Sequence, residues 1–498
     1  MKPFRWLAAI VATALLGSLL SACSPGDGGK DGNNRRMLRI GLPYGSEDNE
    51  SYTRQDLTDL FEVMHPEIDI ELVYAVDDSG WMYGEAENEE QPDVVENMKK
   101  MMTGPNPVDV VVFSLEDLTW LVQDNLLKPL DPFMAEDKMD TAAFVPMILE
   151  AIRERGDGQQ LYALAPSFSA AALFYNKALF REQNVPFPDG DMTWEDALNL
   201  ARRLKSGSGP DAVFGISFSS WAFMNLFSGM SMYSDPLQLR MFDDQAEKMT
   251  VNTPGWKDVW DTFFSLYDEG VIPRQEDLLA EPLPGGEYRY NPYRHRPFFS
   301  GRVAMVVETG NFIQELLEFN RVAERLDMEP IEWGVTALPA HPQMPEVGVV
   351  SIGRMMGINA NALNQEDAWS FIKFHHSGDM AKIKSRSNYE MSTLQAYLTP
   401  REGADYDPAV FTKRKPGRGM TLDEIRLQRE RPNLYLVQQL AERIFDRVIA
   451  GEMTVEEGLA KWEETGNKLL QKIKENPRGP ISDPFDGLGG GGAVEIMF

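Results

Sequence analysis

One stretch of sequence, residues 160–180 (QLYALAPSFSAAALFYNKALF), limits the folds open to this chain more than any other. Leu161–Leu164 and Ala170–Tyr175 are continuous apolar runs, which are typical of strands buried on both faces. Pro166 lies between the two runs and has no backbone N–H to donate, so strand pairing has to change at this point. We therefore predict that the chain crosses here from one sheet to another, and that the protein has two lobes hinged partly at this segment.

Strand and helix patterns alternate before this crossing. Met37–Leu42 and Ile68–Val76 are predicted strands, and Ser51–Met64 between them has the apolar spacing of a helix. A strand–helix–strand unit implies a parallel sheet. Val108–Phe113 and Val347–Ile352 are further predicted strands. Because 498 residues exceed what one hydrophobic core supports, the predicted fold class is α/β with two lobes.

The charge of the chain is strongly negative. It has 48 basic and 77 acidic residues, which give a formal charge of −29 at pH 7. Such a charge argues against nucleic acid or anionic lipid as the main partner, because both are bound through basic surfaces. It also disfavours a highly anionic ligand, although a local basic cleft could override the total. Solubility is the simpler explanation for most of the negative charge.

The N-terminus has the features of an export signal. Lys2 and Arg5 precede the apolar run Trp6–Leu20, which is too short for a membrane span, and small residues lead to Cys23. Residues 20–23 (LSAC) resemble the bacterial lipobox, after which cleavage leaves Cys23 as a lipid-modified N-terminus, with palmitate among its acyl chains. We predict a signal peptide over residues 1–22 and a flexible tether over 23–36. The alternative is an ordinary signal peptide with a chance cysteine.

The sequence contains no pattern that indicates catalysis or a metal centre. No nucleophile elbow, HExxH motif or P-loop occurs. His375 and His376 are adjacent on a predicted helix and cannot share a face, so they form a poor metal site and are expected at the surface or at a helix cap. The apolar stripe of the helix predicted over Pro254–Glu269 is expected to be core rather than a platform for sugar. The sequence therefore predicts no cofactor and no metal.

Several short motifs occur in a fixed order between Met37 and Lys474. They are Val108–Val111 with Leu118, Leu121 and Lys128–Asp131; Tyr162–Pro166; Leu173–Lys177 with Leu179 and Phe180; Thr193–Asp196; Phe299–Met305; Gly334 and Val335 with Leu338 and Pro339; and Thr454–Leu459. In this order, behind a lipobox, the chain resembles the extracellular solute-binding lipoproteins of the maltose-binding type (family 1, carbohydrate type). Members of that family deliver substrate to ABC importers.

The resemblance implies a periplasmic-binding-protein-like fold, in which each lobe is a mainly parallel sheet flanked by helices and ligand lies between the lobes. It places lobe 1 at residues 37–164 and 356–400, and lobe 2 at 165–355 and 401–476. It also implies several hinge crossings. A Gly- and Pro-rich tail follows over residues 477–498.

The resemblance also implies which residues contact ligand, mostly in loops after strands. They are Tyr44, Ser114, Glu116, Ser169, Trp221, Glu308, Asn311 and Tyr435, to which we add Trp81 from an enlarged acidic loop. Aromatic rings stack on the C–H faces of sugars, while acids and amides bind their hydroxyls. Asn311 stands where relatives often have an aromatic residue, and Ser169 where they have an acid. The expected ligand is therefore an oligosaccharide other than a maltodextrin.

The resemblance further implies a monomer that works with ABC permease subunits and has no nucleic-acid partner. With the lipobox, it predicts a protein anchored by lipid to the outer face of a bacterial cell membrane, of Gram-positive type. Two alternatives stay open: a secreted glycan-active enzyme, and a ligand-sensing accessory subunit of a membrane receptor.

Overall fold

The computed structural model describes residues 35–82, 92–221, 226–274, 277, 291–293, 295–385 and 390–488. The predicted signal peptide, the lipidation site Cys23 and nearly all of the predicted tether lie outside these residues. Trp81 belongs to a short helix, but its side chain also lies outside the description.

Strands and helices alternate along most of the described chain. The strands are β1 Arg36–Gly45, β2 Ile68–Asp77, β3 Val110–Phe113, β4 Ser167–Asn176, β5 Phe214–Ser217, β6 Val303–Thr309, β7 Trp333–Ala337, β8 Val350–Ser351, β9 Met355–Ile358 and β10 Met391–Ser392. The helices are α1 Glu50–Leu57, α2 Asp59–Met64, α3 Ser79–Met82, α4 Val94–Thr103, α5 Leu115–Gln123, α6 Asp131–Glu136, α7 Pro146–Arg155, α8 Lys177–Glu182, α9 Trp194–Leu204, α10 Leu226–Ser234, α11 Pro254–Asp268, α12 Phe312–Val322, α13 Gln365–His375, α14 Gly378–Lys384, α15 Leu422–Glu430, α16 Tyr435–Ile449 and α17 Val455–Glu475.

The first sheet has the strand order β2-β1-β3-β9. β1 pairs in parallel with both β2 and β3, and β9 is an antiparallel edge strand beside β3. The predicted strand–helix–strand unit is confirmed, although its helix is divided at Thr58 into α1 and α2. All four residues of β3 are buried, as their apolar sequence VVVF predicts.

The second sheet is built around β4, in the order β10-β4-β6-β5, with β7 and β8 also paired to β4. β5 and β6 are parallel, whereas β6, β7, β8 and β10 all run antiparallel to β4. The expectation of a mainly parallel sheet therefore holds for the first sheet and not for the second. The predicted strand at Val347–Ile352 is reduced to the two residues of β8.

The predicted change of pairing at Pro166 is confirmed. Leu164 exchanges backbone hydrogen bonds with Met356 of the first sheet, at 3.1 and 2.8 Å. From Ser167 onward the chain is β4, which pairs only with strands of the second sheet among the described residues. The carbonyl of Pro166 accepts a 3.2 Å hydrogen bond from the N–H of Thr393. One short segment thus connects the two sheets, with proline at the point of transfer.

The prediction that His375 and His376 lie at the surface or at a helix cap is confirmed for the cap, since His376 is the C-cap residue of α13, and is wrong about the surface. They are only 4% and 5% exposed at the end of α13. His375 Nε2 donates to the carbonyl of Leu57 at 3.0 Å, and His376 Nδ1 to that of Ile372 at 2.7 Å. Burial lowers the pKa of His375 to about 3 and that of His376 to about 4. Both rings are therefore neutral members of the core that packs around the first sheet.

The apolar stripe of α11 belongs to a second core, as predicted. Trp256, Val259, Trp260 and Phe263 are buried there, and the rings of Trp260 and Trp462 are stacked with centroids 5.5 Å apart. None of the helices in the described part of the chain is long and apolar enough to cross a membrane.

Candidate functional site

A cavity of about 540 Å³ lies at the carboxyl ends of β1 and β3. Three residues predicted from the sequence line it together: Tyr44 at the end of β1, Ser114 directly after β3, and Glu116. Ligands of open α/β sheets bind beyond the carboxyl ends of the strands, because the crossover loops meet there. The structure therefore brings together three residues that were predicted because they follow the carboxyl ends of strands.

Local structure determines what these side chains can offer. Glu116 lies in the first turn of α5, which begins at Leu115, rather than in the loop where it was expected. Ser114 Oγ donates to the carboxylate of Asp117 at 2.7 Å, which fixes the start of the helix. Tyr44 is 47% exposed, and burial of the remainder, with the nearby charge of Asp117, raises the pKa of its phenol. Tyr44 is therefore neutral and presents a ring face with a hydroxyl.

A second cavity, of about 440 Å³, adjoins the first and lies between the two sheets. The cavities share Glu116, Met420 and Gln428. The second is lined by Arg155 on α7, which packs with the first sheet, and by Val350 of β8 from the second. Both sides of the predicted cleft between lobes thus contribute to its walls.

A third group of side chains lies at the parallel carboxyl ends of β5 and β6. The Glu308 carboxylate accepts the backbone N–H of Ser220 at 2.8 Å. Burial raises the pKa of Glu308, and the hydrogen bonds from Ser220 oppose that shift. The indole of Trp221 is 47% exposed, and the guanidinium of Arg296 lies 4.3 Å from its ring centroid. Trp221 therefore makes a cation–π contact with Arg296, while about half of its surface remains exposed to solvent.

Comparison with known proteins places the chain in a family. Residues 44–375 match the sequence profile described as bacterial extracellular solute-binding protein. That match covers more than half of the chain. The chain belongs to this family.

Other relatives agree with this assignment. A protein of Brucella abortus strain 2308, named as a binding protein, is 22% identical over 318 residues, 62% of this solute-binding protein and 68% of its own length. A sugar transporter from Rhizobium etli, solved in an open conformation, has a TM-score of 0.57 at 18% identity and covers 87% of this chain and 99% of its own. An ABC substrate-binding protein from Listeria monocytogenes, in complex with cycloalternan, has a TM-score of 0.51 at 18% identity, covering 88% and 99%. The α/β, two-lobed periplasmic-binding-protein-like fold is thereby confirmed.

The remaining predicted residues of the solute-binding protein do not line either cavity. Ser169 lies within β4, opposite Ser351 of β8. Asn311 precedes α12, where its side-chain oxygen accepts a hydrogen bond from Thr309 Oγ1. Tyr435 is half-exposed at the first residue of α16. Trp221 and Glu308 form the separate group described above, and the side chain of Trp81 is outside the described residues.

Sequence reasoning missed the arginines of the cleft. The larger cavity is lined by Arg354, Arg429 and Arg478, and the smaller one by Arg155, Arg240 and Arg418. Arg354 lies in the short turn between β8 and β9, and the others come from α7, α15 and irregular segments, so no shared local pattern marks them. An excess of arginine between the β8–β9 turn and α15 is the only signal that could have indicated some of them.

Asp93, at the N-cap of α4, connects this helix to α15 and to the C-terminal tail through two of these arginines. Arg478 Nη2 lies 2.9 Å and Arg429 Nε 3.5 Å from its carboxylate oxygens. Burial works to raise the pKa of Asp93, but the N–H of Glu96 and the two arginine charges outweigh it and hold that pKa below its usual range. Arg478 belongs to the predicted tail, so residues after the last helix help to close one wall of the cavity. Within the described ranges, no cluster of three or more His, Cys, Asp or Glu residues could hold a metal ion.

Proposed function

We propose that this solute-binding protein captures a carbohydrate between two lobes and delivers it to ABC permease subunits in the membrane. The observation that carries the proposal is the pair of adjoining cavities between the sheets, where Tyr44, Ser114 and Glu116 meet. A volume of about 540 Å³ lies within the range of small-molecule sites in proteins. We also propose that the two lobes have the boundaries predicted from the sequence. They would close on the ligand without catalysing a reaction.

The names of relatives support a carbohydrate as the solute. The Rhizobium etli protein is described as a sugar transporter, and the Listeria monocytogenes protein was solved with the cyclic saccharide cycloalternan. The chemistry of the larger cavity agrees, because the neutral phenol of Tyr44 and the acid Glu116 suit the two kinds of surface that a sugar offers. The partly exposed indole of Trp221, outside the cavities, offers a further stacking surface.

Carbohydrate binding without turnover is tested by thermal unfolding with a panel of oligosaccharides. A cognate ligand should raise the melting temperature, because it binds only the folded state, by about 2.7 kcal/mol of added stability at 100 times its Kd. Chromatography of the same samples should show unchanged saccharide. Appearance of cleaved products at an enzymatic rate would favour the glycan-active enzyme instead.

Trp221 is proposed to stack on the ligand through its open ring surface. Trp221→Ala should therefore weaken binding by about 1–3 kcal/mol in calorimetry, with little change in the free energy of unfolding. Tyr52→Ala is a suitable control, because Tyr52 is 74% exposed on α1 and belongs neither to the cavities nor to the group formed by Trp221, Glu308 and Arg296. If Trp221→Ala lowered stability as much as affinity, Trp221 would be a packing residue.

We also propose that the protein is a monomer, lipid-anchored through Cys23 on the extracellular face of a Gram-positive membrane. Cys23→Ser removes the thiol that would carry the diacylglyceryl group, so the variant should move from the membrane fraction to the medium. A matched Ser21→Ala variant should remain with the membrane. Firm membrane association of the Cys23→Ser protein would contradict lipid anchoring at this residue.

A further inference from the structure

The lining of the two cavities differs in charge from the rest of the protein. Across the described residues the cavities are lined by six arginines and five acids, the acids being Asp93, Glu116, Asp117, Asp235 and Glu424. The whole chain has 77 acidic against 48 basic residues. Because charges further away than about 8 Å are screened at physiological ionic strength, a ligand in the cleft experiences this local surface rather than the total charge.

Among the described residues, Arg155 is the arginine of this lining that makes no direct ion pair, although the charges of Glu116 and Glu154 act on it from further away. It is the last residue of α7, and its Nη2 donates to the carbonyl of Gly417 at 2.8 Å. Its Nη1 is buried without a hydrogen-bond partner, and no carboxylate of the described residues forms an ion pair with it. Burial lowers its pKa, although a guanidinium still keeps its proton at any physiological pH.

The neighbouring arginines of the same cavity are already paired. Arg418 and Arg240 both contact the carboxylate of Glu424, and Arg240 also pairs with Asp244. A partly buried cation without a counter-ion is unfavourable, and natural proteins rarely keep one without a use. A carboxylate supplied from outside would relieve this cost and gain charge-assisted hydrogen bonds, which guanidinium forms well with the planar carboxylate group.

We propose that the carbohydrate bound in this cleft is acidic, an oligosaccharide containing uronate, and that Arg155 receives its carboxylate. The hydroxyls of the sugar would be bound by other polar groups of the same lining, Glu116, Gln238 and Gln428 among them. This inference rests on the proposed carbohydrate function and narrows it to one class of sugar. It also means that recognition depends on a local basic surface within a strongly acidic protein.

The experiment compares charged and neutral forms of the same sugars by calorimetry. The probes are trimers of galacturonate, glucuronate and mannuronate, their methyl esters, which have similar size but no charge, and the corresponding neutral trimers. At least one uronate trimer should bind the wild-type protein ~10- to 100-fold more tightly than its ester, as expected for a charge-assisted pair. The preference should weaken as salt is raised.

Three variants separate the role of Arg155 from a general effect of charge. Arg155→Gln should lose the preference for uronate over ester, with an unchanged or higher melting temperature of the free protein, because an unpaired charge is removed. Arg181→Gln is the matched control: it removes the same charge from an exposed pair with Glu332 and should keep the preference. Arg155→Lys retains the cation and should keep part of the preference, which covers the case in which Arg155→Gln does not fold.

The outcomes distinguish this inference from the proposed function. Equal binding of uronate and ester, or tighter binding of neutral trimers, overturns the acidic-sugar assignment and leaves carbohydrate binding intact. An unchanged preference in Arg155→Gln overturns the role of Arg155. If neither acidic nor neutral oligosaccharides of the wider panel bind, the carbohydrate function fails and this inference fails with it.

Discussion

Lowering the pH from 7 to 5 should reduce the free energy of unfolding by about 2 kcal/mol for each of His375 and His376. Burial holds the pKa of these rings at about 3 and about 4, against an ordinary value of 6.5. The unfolded chain therefore takes up protons as the pH falls below 6.5, and the folded chain does not until much lower pH. The stability that the neutral rings contribute is complete above pH 6.5 and is lost progressively toward pH 4.

Urea unfolding at several pH values would measure the slope of the free energy of unfolding against pH. Variants would show which residues cause that slope. His375→Leu or His376→Leu should each remove about half of the slope between pH 6.5 and 5. His65→Gln is the control for replacing a histidine, because the side chain of His65 is 30% exposed. Asp235 changes stability in the opposite direction, since burial raises its pKa to about 6, so the histidine contribution is the difference between variants and not the total slope. If a variant with both histidines replaced by leucine lost as much stability between pH 6.5 and 5 as the wild type does, this assignment would be refuted.

The sequence predicts the crossing between sheets well because its cause is local. Pro166 lacks an N–H whatever its surroundings, and the apolar run after it forms the buried strand β4. The predicted strand before it, Leu161–Leu164, is reduced to a single bridge between Leu164 and Met356. Tyr44 and Ser114 were predictable for a similar reason, because strand ends can be located from an apolar run and the loop that follows it. The capping of α9 by Thr193 also has a local cause, because the Thr193 side chain accepts a hydrogen bond from the N–H of Asp196 only three residues away.

The burial of the two histidines could not be predicted in this way. The argument from adjacent helical positions concerns whether both rings can bind one metal, and it says nothing about how deeply the helix end is covered. That depth depends on α1. The carbonyl of its Leu57 accepts a hydrogen bond from His375, although the two residues are more than 300 positions apart in the sequence. The ion pair of Arg296 joins it to Glu315 on α12, 19 residues further along the chain, and the sequence around Arg296 has no periodic pattern that would mark this pairing.

Arg296 and Glu315 are the origin of the second large expected effect. Arg296 is 5% exposed, donates to Ser220 Oγ at 2.6 Å and forms an ion pair with Glu315, while its guanidinium also covers rings of Trp221 and Phe299. Glu315→Gln removes the charge partner of a buried cation. It should lower the free energy of unfolding by about 3 kcal/mol, because the buried cation loses its direct ion-pair partner and keeps only the longer-range attraction of Glu308.

The matching measurement is a double-mutant cycle by urea unfolding with Arg296→Met and Glu315→Gln. The double variant should be more stable than Glu315→Gln alone, because it no longer buries a lone cation. Glu332→Gln is the control, since its pair with Arg181 is more than half exposed on both sides and should contribute little to stability. If Glu315→Gln lowered the free energy of unfolding by as little as the control does, the charge of Arg296 would be solvated by water in the absence of its partner. Because Arg296 supports the ring of Trp221, Arg296→Met should also weaken carbohydrate binding, even where the double variant has regained stability.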